Sequence, residues 1–173
     1  MQPLKKESVT TQIHEIYIKS TPEAIWNALT TPEWTAKYGY RSPQEYDLKP
    51  GGKYRVKATE QMRAMGLPEV IIDGEVLESR PPHKLVHTVR FLFSEENKAE
   101  GFTRITWEIE PQGPGFCRLT VIHELEGAPL MASATGSKFN GQGGGGWTWI
   151  ISDLKSLLET GKSLKDDAAT AGR

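Results

Sequence analysis

The sequence has one cysteine, no excess of basic residues and no long apolar run. Cys117 alone cannot form an intrachain disulfide, and the N-terminus lacks the basic-then-apolar pattern of a secretory signal, so we expect a cytoplasmic protein. The 21 Lys and Arg residues are matched by 22 Asp and Glu residues, which leaves no positive field to hold nucleic acid. Because no stretch approaches the roughly 20 apolar residues that cross a bilayer, no membrane span is expected.

Length and composition predict one globular domain. The chain has 173 residues, of which 37% are hydrophobic and 25% charged, enough for a single core. We expect an N-terminal tail over residues 1–8, one ligand-binding domain over 9–161 and a polar C-terminal tail over 162–173.

The N-terminal part predicts a strand followed by two short helices. Residues 9–19 alternate with period two, which is typical of a half-buried strand. Thr21 then precedes Pro22, and the pattern recurs at Thr31 and Pro32. A hydroxyl residue followed by proline is a helix start signal, because the side chain can cap and proline suits the first turn.

The middle of the chain predicts an antiparallel sheet. Strand-like segments recur at residues 53–59, 70–79, 83–93, 102–110 and 116–126. Short turns containing glycine, proline or charged residues separate most of them. Such short connections favour hairpins over parallel crossovers, so an antiparallel meander is the expected pairing.

The last apolar pattern predicts one long helix. After a loop over residues 127–146 that ends in four glycines, five apolar residues fall on one helical stripe: Trp147, Ile150, Ile151, Leu154 and Leu158. Gly161 is placed to end this helix. The sheet must bury one face, and this helix is the element long enough to cover it. We therefore expect an α+β helix-grip fold, with a curved antiparallel sheet of six or seven strands around the C-terminal helix.

Several phrases, in this order, resemble the START-like SRPBCC superfamily, in the branch of homologues of the activator of heat-shock protein 90 ATPase. They are IYIKSTPEAIWNALTTPEWTAKY, KPGGKYRV, DGEVLESRPPHKLVHTV, TRITWEIEPQGPGFCRLTVIHE and GWTWIISDLKSLLETG. The resemblance covers about residues 12–161 and implies the helix-grip fold with an internal cavity. It does not imply one chemistry, because members include lipid carriers, aromatic cyclases and chaperone activators.

Strand alternation and the helical stripe nominate most of the residues that would line such a cavity. Met65, in the polar connection between two strands, would form part of its rim. The expected ligand-binding residues are Tyr54, Met65, Leu85, His87, Val89, Trp107, Leu119, Val121, His123, Trp147, Ile150, Ile151 and Leu154. Because this set is mainly apolar, the expected partner is a small hydrophobic or aromatic molecule. His87 and His123 would either orient a polar group of that ligand or be core histidines bonded to backbone or water.

The sequence favours ligand binding over enzymatic activity or metal binding. A cyclase, dehydratase or hydrolase would use His87 or His123 as acid or base, but no second tuned group is evident, so no catalytic residue is assigned. A metal site made from His14, His87 and His123 lacks the close ligand spacing of known motifs. No cofactor is expected.

The glycine cluster and the resemblance suggest two further possibilities. Residues 141–146 match GxGxxG formally, but no strand leads into them, so a hinge is the favoured interpretation. The resemblance also implies a chaperone-interaction module. The activators of this branch in eukaryotes carry a further N-terminal docking domain, and no such domain is expected in this chain.

Trp149 lies off the apolar stripe of the final helix. A large apolar side chain on the outer side of a helix is typical of a contact surface, so a homodimer contact is predicted there.

Overall fold

The computed structural model describes residues 11–137 and 145–166. Its seven strands are β1 (Thr11–Ile18), β2 (Gln44–Tyr46), β3 (Lys53–Lys57), β4 (Val70–Arg80), β5 (Lys84–Phe91), β6 (Thr103–Gly113) and β7 (Phe116–Glu124). Its helices are α1 (Pro22–Thr30), α2 (Pro32–Thr35), α3 (Glu60–Ala64), α4 (Glu95–Glu100), α5 (Pro129–Thr135) and α6 (Gly146–Thr160).

The strands form one antiparallel sheet in the order β1-β7-β6-β5-β4-β3-β2. Strands β2 to β7 follow each other as a meander, and β1 closes the far edge beside β7. Register shifts interrupt β4 between Val76 and Glu78 and β6 between Pro111 and Gly113. Bulges of this kind bend strands, and the sheet curves. The predicted helix-grip fold is confirmed.

The two short N-terminal helices begin where the sequence predicts. The Thr21 hydroxyl accepts a hydrogen bond of 3.2 Å from the Ala24 backbone N–H, and Pro22 follows it as the first residue of α1. Thr31 and Pro32 repeat the arrangement at α2, although there the threonine makes no side-chain cap bond.

Helix α6 covers the concave face of the sheet. It buries Trp147, Ile151, Leu154 and Leu157. Gly161 ends the helix in the left-handed conformation, with φ of 77°, and its N–H donates to the Leu157 carbonyl. Glycine suits this position because a Cβ would strain it.

Four elements lie where no helix or strand was predicted. They are the three-residue strand β2 and the helices α3, α4 and α5, none longer than seven residues. Helix α5 occupies part of the predicted loop over 127–146. Elements this short carry too few apolar positions to show a period. Most of the glycine hinge predicted over 141–146 lies outside the described residues.

Packing continues into the segment predicted as the C-terminal tail over residues 162–173. The Asp153 carboxylate, fully buried in α6, accepts hydrogen bonds from the Ser163 hydroxyl at 2.9 Å and the Leu164 N–H at 2.6 Å. Ser163 is itself buried. The first residues of this segment therefore pack on α6, because a buried carboxylate needs hydrogen-bond donors. The predicted N-terminal tail over 1–8 lies outside the described residues.

Within the ranges 11–137 and 145–166, none of the helices combines the length and apolar character needed to cross a membrane.

Candidate functional site

A cavity of about 370 Å³ lies between the concave face of the sheet, α6 and the segment that follows α2. Its wall is mainly apolar. Aromatic side chains supply much of it: Tyr38, Tyr46, Tyr54, Phe91, Phe93, Trp107 and Trp147. Aliphatic side chains from β3 to β6 and from α6 fill the space between them. A mainly apolar wall with a few polar groups is the usual construction of a small-molecule pocket.

The structure brings about half of the predicted ligand-binding residues to the cavity wall. They are Tyr54, His87, Val89, Trp107, His123, Trp147 and Ile150. Five others are buried in the core behind or beside it: Leu85, Leu119, Val121, Ile151 and Leu154. All five are at most 4% exposed and belong to the hydrophobic core rather than to the cavity wall.

Met65 lies outside the cavity. It follows α3, and 75% of its side chain is exposed. Met62, one turn earlier, lines the cavity instead and packs against the core. The two methionines differ because α3 turns one side toward the sheet, and that short helix was not predicted.

Residues 38–42 and strand β2 also contribute to the cavity wall, although no pattern in the sequence predicts this. Tyr38, Gly39 and Arg41 line the cavity although they belong to no regular element. Gln44 and Tyr46 line it from the edge strand. Segments without a period give no signal of which side chains point inward.

His123 joins the sheet to α6 through two hydrogen bonds. The indole N–H of Trp147 donates to His123 Nδ1 at 3.1 Å, and His123 Nε2 lies 2.7 Å from the hydroxyl of Thr103. An indole nitrogen can only donate, so Nδ1 must be the acceptor and the ring proton must sit on Nε2. The Thr103 hydroxyl therefore accepts from His123.

Burial keeps His123 neutral. The ring is 1% exposed, and desolvation lowers its pKa to about 3, with a smaller contribution from His87. Both nitrogens are already occupied by neighbours in the neutral form. His123 therefore acts as a structural link in the cavity wall.

His87 is also buried, but only one of its two ring nitrogens has a hydrogen-bond partner among the described residues. Its Nδ1 lies 3.0 Å from the backbone carbonyl of Thr88. A carbonyl only accepts, so Nδ1 carries the proton and Nε2 presents a lone pair. No described residue donates to Nε2. Burial lowers the pKa of His87 to about 4, partly offset by the bond to Thr88, so the ring is neutral near pH 7.

Two tyrosines pack against the His87 ring. The ring of Tyr54 lies 4.3 Å from it and that of Tyr46 5.4 Å, both edge to face. The hydroxyls of both tyrosines donate to Gln44 Oε1, at 3.1 Å from Tyr54 and 3.3 Å from Tyr46. Burial raises the pKa of both phenols, so they remain neutral donors.

The wall opens to solvent where three lining residues are exposed: Tyr40, Phe93 and Ala134. Tyr40 is held beside α6, because its hydroxyl accepts a hydrogen bond of 3.1 Å from the Gly146 N–H. The neighbouring Gly39 N–H donates to Asp153 at 2.8 Å. Residues 39 and 40 are thus tied to the final helix at two points.

In the part of the chain that the structure describes, no group of three or more histidine, cysteine or acidic residues is placed to hold a metal ion. His14, His87 and His123 lie on three different strands, and His14 is not part of the cavity wall.

Residues 19–159 match the family described as Activator of Hsp90 ATPase homolog 1-like protein. The chain belongs to this family. The match runs from the end of β1 to the last turn of α6, so it includes the cavity wall. No curated protein matches the chain in sequence.

Several solved structures share the fold. An HSP90 activator from Plasmodium falciparum, PFC0360w, is 22% identical over 94% of this chain and 96% of that one, with a TM-score of 0.54. The Aha1 dimer from Colwellia psychrerythraea is 21% identical over 88% and 98%, with a TM-score of 0.57. DynU16, encoded in the dynemicin biosynthetic locus, is 18% identical over 89% of this chain, with a TM-score of 0.60. The present chain spans 49% of DynU16.

Proposed function

We propose that this protein binds a small hydrophobic or aromatic molecule in the cavity between the sheet and α6. The observation that carries the proposal is the cavity itself, about 370 Å³ in volume and walled mainly by aromatic and aliphatic side chains. A well-packed core leaves few voids larger than a water molecule, so a space of this size needs an explanation. Occupation by a ligand supplies one.

The polar groups in the wall support a binding role. The hydroxyl of Tyr38 donates to the Ala28 carbonyl at 2.8 Å, and those of Tyr46 and Tyr54 donate to Gln44. Most polar atoms are thus held by protein neighbours, which fixes the shape of the pocket. A ligand would then be selected mainly by its shape and apolar surface.

The proposal can be tested by calorimetric titration or native mass spectrometry with a panel of small aromatic compounds. Ala134 is exposed at the opening, so Ala134→Phe should obstruct entry while leaving the core intact. Ser133→Phe on the same helix is the matched control, because Ser133 does not line the cavity. We expect at least one compound to bind the wild type and the control but to lose about tenfold or more in affinity for Ala134→Phe, a loss of about 1.4 kcal/mol. Uniform absence of binding would contradict the proposal.

An enzymatic role finds less support in the same geometry. Both ring nitrogens of His123 are engaged. His87 has a free lone pair, but its lowered pKa of about 4 makes it a weak base near neutral pH. Ligand binding requires neither residue to exchange a proton.

Family membership suggests a second candidate, interaction with a chaperone ATPase. Its support is the full-length likeness to the Plasmodium HSP90 activator. An increase in ATPase rate on adding this protein to a purified heat-shock protein 90 would support it. An unchanged rate, at concentrations well above that of the chaperone, would contradict it.

Self-association also remains a prediction, supported by the dimeric structure from Colwellia. Trp149, expected at the contact, is half-buried, and the Lys165 ammonium lies 5.1 Å from the centre of its ring. A dimer through this face would have to displace or include Lys165. Light scattering of wild type and Trp149→Ala would test this arrangement.

A further inference from the structure

The buried lone pair of His87 Nε2 indicates which polar group a ligand in the cavity should have. Nδ1 is committed to the Thr88 carbonyl, which leaves Nε2 as an acceptor without a donor among the described residues. His87 is 1% exposed and lines the cavity. An unsatisfied buried acceptor costs free energy that is recovered when a donor is supplied.

Protein neighbours do not satisfy this acceptor. The two nearest phenols are those of Tyr46 and Tyr54, and both donate to Gln44 Oε1. The other cavity histidine, His123, uses its proton toward Thr103. Among the described residues that line the cavity, His87 is the one with a buried side-chain nitrogen or oxygen that has no hydrogen-bond partner. The missing donor therefore belongs beside the His87 ring.

We infer that the ligand carries an aromatic hydroxyl or N–H group that donates a hydrogen bond to His87 Nε2. This inference rests on the proposed function and deepens it.

The packing around His87 explains why the donor should be aromatic. The Tyr54 and Tyr46 rings approach its ring edge to face, with centroids 4.3 and 5.4 Å away. A group that reaches Nε2 must fit among these flat rings. A planar phenol or heteroaromatic N–H can do so with its π face in contact, whereas a branched aliphatic alcohol would push the rings apart.

Calorimetric titration with two matched probes, 2-naphthol and 2-methoxynaphthalene, tests the inference. The two have the same ring system, but only the naphthol can donate. We expect wild type to prefer 2-naphthol by about three- to tenfold, the range for one net hydrogen bond. His87→Phe keeps a ring at this position without the lone pair, so its preference should fall to about one. His14→Phe makes the same change at a histidine outside the cavity wall, so it should retain the preference.

The outcomes separate this inference from the proposed function. If wild type binds both probes equally, or if His87→Phe keeps the preference, the role of His87 is overturned while cavity binding stands. If wild type binds neither these probes nor the wider panel, the proposed function fails, and this inference fails with it. Because each preference is a ratio measured on one variant, a general loss of stability cannot imitate the expected result.

Discussion

The indole N–H of Trp147 donates to Nδ1 of His123 at 3.1 Å, and this bond joins the final helix to the middle of the sheet. Neither atom has access to bulk water, because both residues are buried. The bond also dictates which nitrogen of His123 carries the proton, and so makes Nε2 the donor toward Thr103. This one contact between helix and sheet therefore determines which groups donate and which accept hydrogen bonds in that part of the cavity wall.

Replacing Trp147 by Phe should cost more stability than the same change at Trp107. The two indoles pack against each other with centroids 5.4 Å apart, but only Trp147 donates to His123. Trp147→Phe leaves His123 Nδ1 buried without a donor, which adds about 1–3 kcal/mol to the packing loss that both variants share. Urea denaturation of the two variants measures the difference. Equal losses would show that the hydrogen bond contributes little.

The two buried histidines should make the protein less stable as the pH falls below about 6.5. Their pKa values are about 4 for His87 and about 3 for His123 when folded, against 6.5 when exposed. Between these values the unfolded chain binds protons that the folded protein does not. The contribution of the two histidines to the free energy of unfolding is therefore fully present above pH 6.5. It is lost as the pH falls toward their pKa values in the folded protein.

Urea midpoints at pH 7, 6 and 5 measure this effect, and His87→Phe isolates one histidine from the carboxylates. Between pH 6 and 5 the wild type should lose about 1.2 kcal/mol more than the variant, because His87 binds on average about 0.9 proton more in the unfolded chain than in the folded protein over this range. Carboxylates contribute to both proteins alike. If both lose stability in parallel, His87 is not buried in its neutral form.

Much of the fold could be predicted because its long elements have strong periods. Strand alternation placed His87, Val89, Trp107 and His123 on one face, and all four line the cavity. The helical stripe likewise brought Trp147 to the wall. Here the sequence pattern suffices, since one face of a sheet must be buried and α6 is the one long helix among the described residues.

The rest of the site depends on contacts that no local pattern records. Arg41 has a positive φ of 61° in a segment without regular structure, and its neighbours reach the cavity because Asp153 holds Gly39 from more than a hundred residues away. The exposure of Met65 follows from the orientation of the short helix α3. The free lone pair of His87 follows from a backbone carbonyl nearby, and periodicity says nothing about hydrogen-bond partners.

Asp153 gives the last prediction, because it connects the cavity to the C-terminal segment. One of its carboxylate oxygens accepts from the Gly39 N–H, while the other accepts from the Leu164 N–H, and the Ser163 hydroxyl donates to the same group. In Asp153→Asn one oxygen becomes an NH₂ that cannot accept, so either Gly39 or Leu164 loses its partner. A hydrogen bond to a buried charged group contributes about 1.5–3 kcal/mol, and we expect a loss of that size.

Asp166→Asn is the matched control for this change. Asp166 pairs with Arg41 at 3.1 Å, and its other oxygen accepts from the Ser163 N–H at 2.7 Å. An asparagine there keeps one oxygen that can accept from Ser163, and both side chains of the ion pair are about 40% exposed, so the loss should be less than about 1 kcal/mol. Urea denaturation gives both stabilities, and titration with a cavity ligand gives the second comparison. Asp153→Asn should also weaken ligand binding, because the Asp153 side chain holds Gly39 in place, and Gly39 and Tyr40 line the cavity wall. If Asp153→Asn and Asp166→Asn behave alike in both measurements, Asp153 does not hold the opening of the cavity in place.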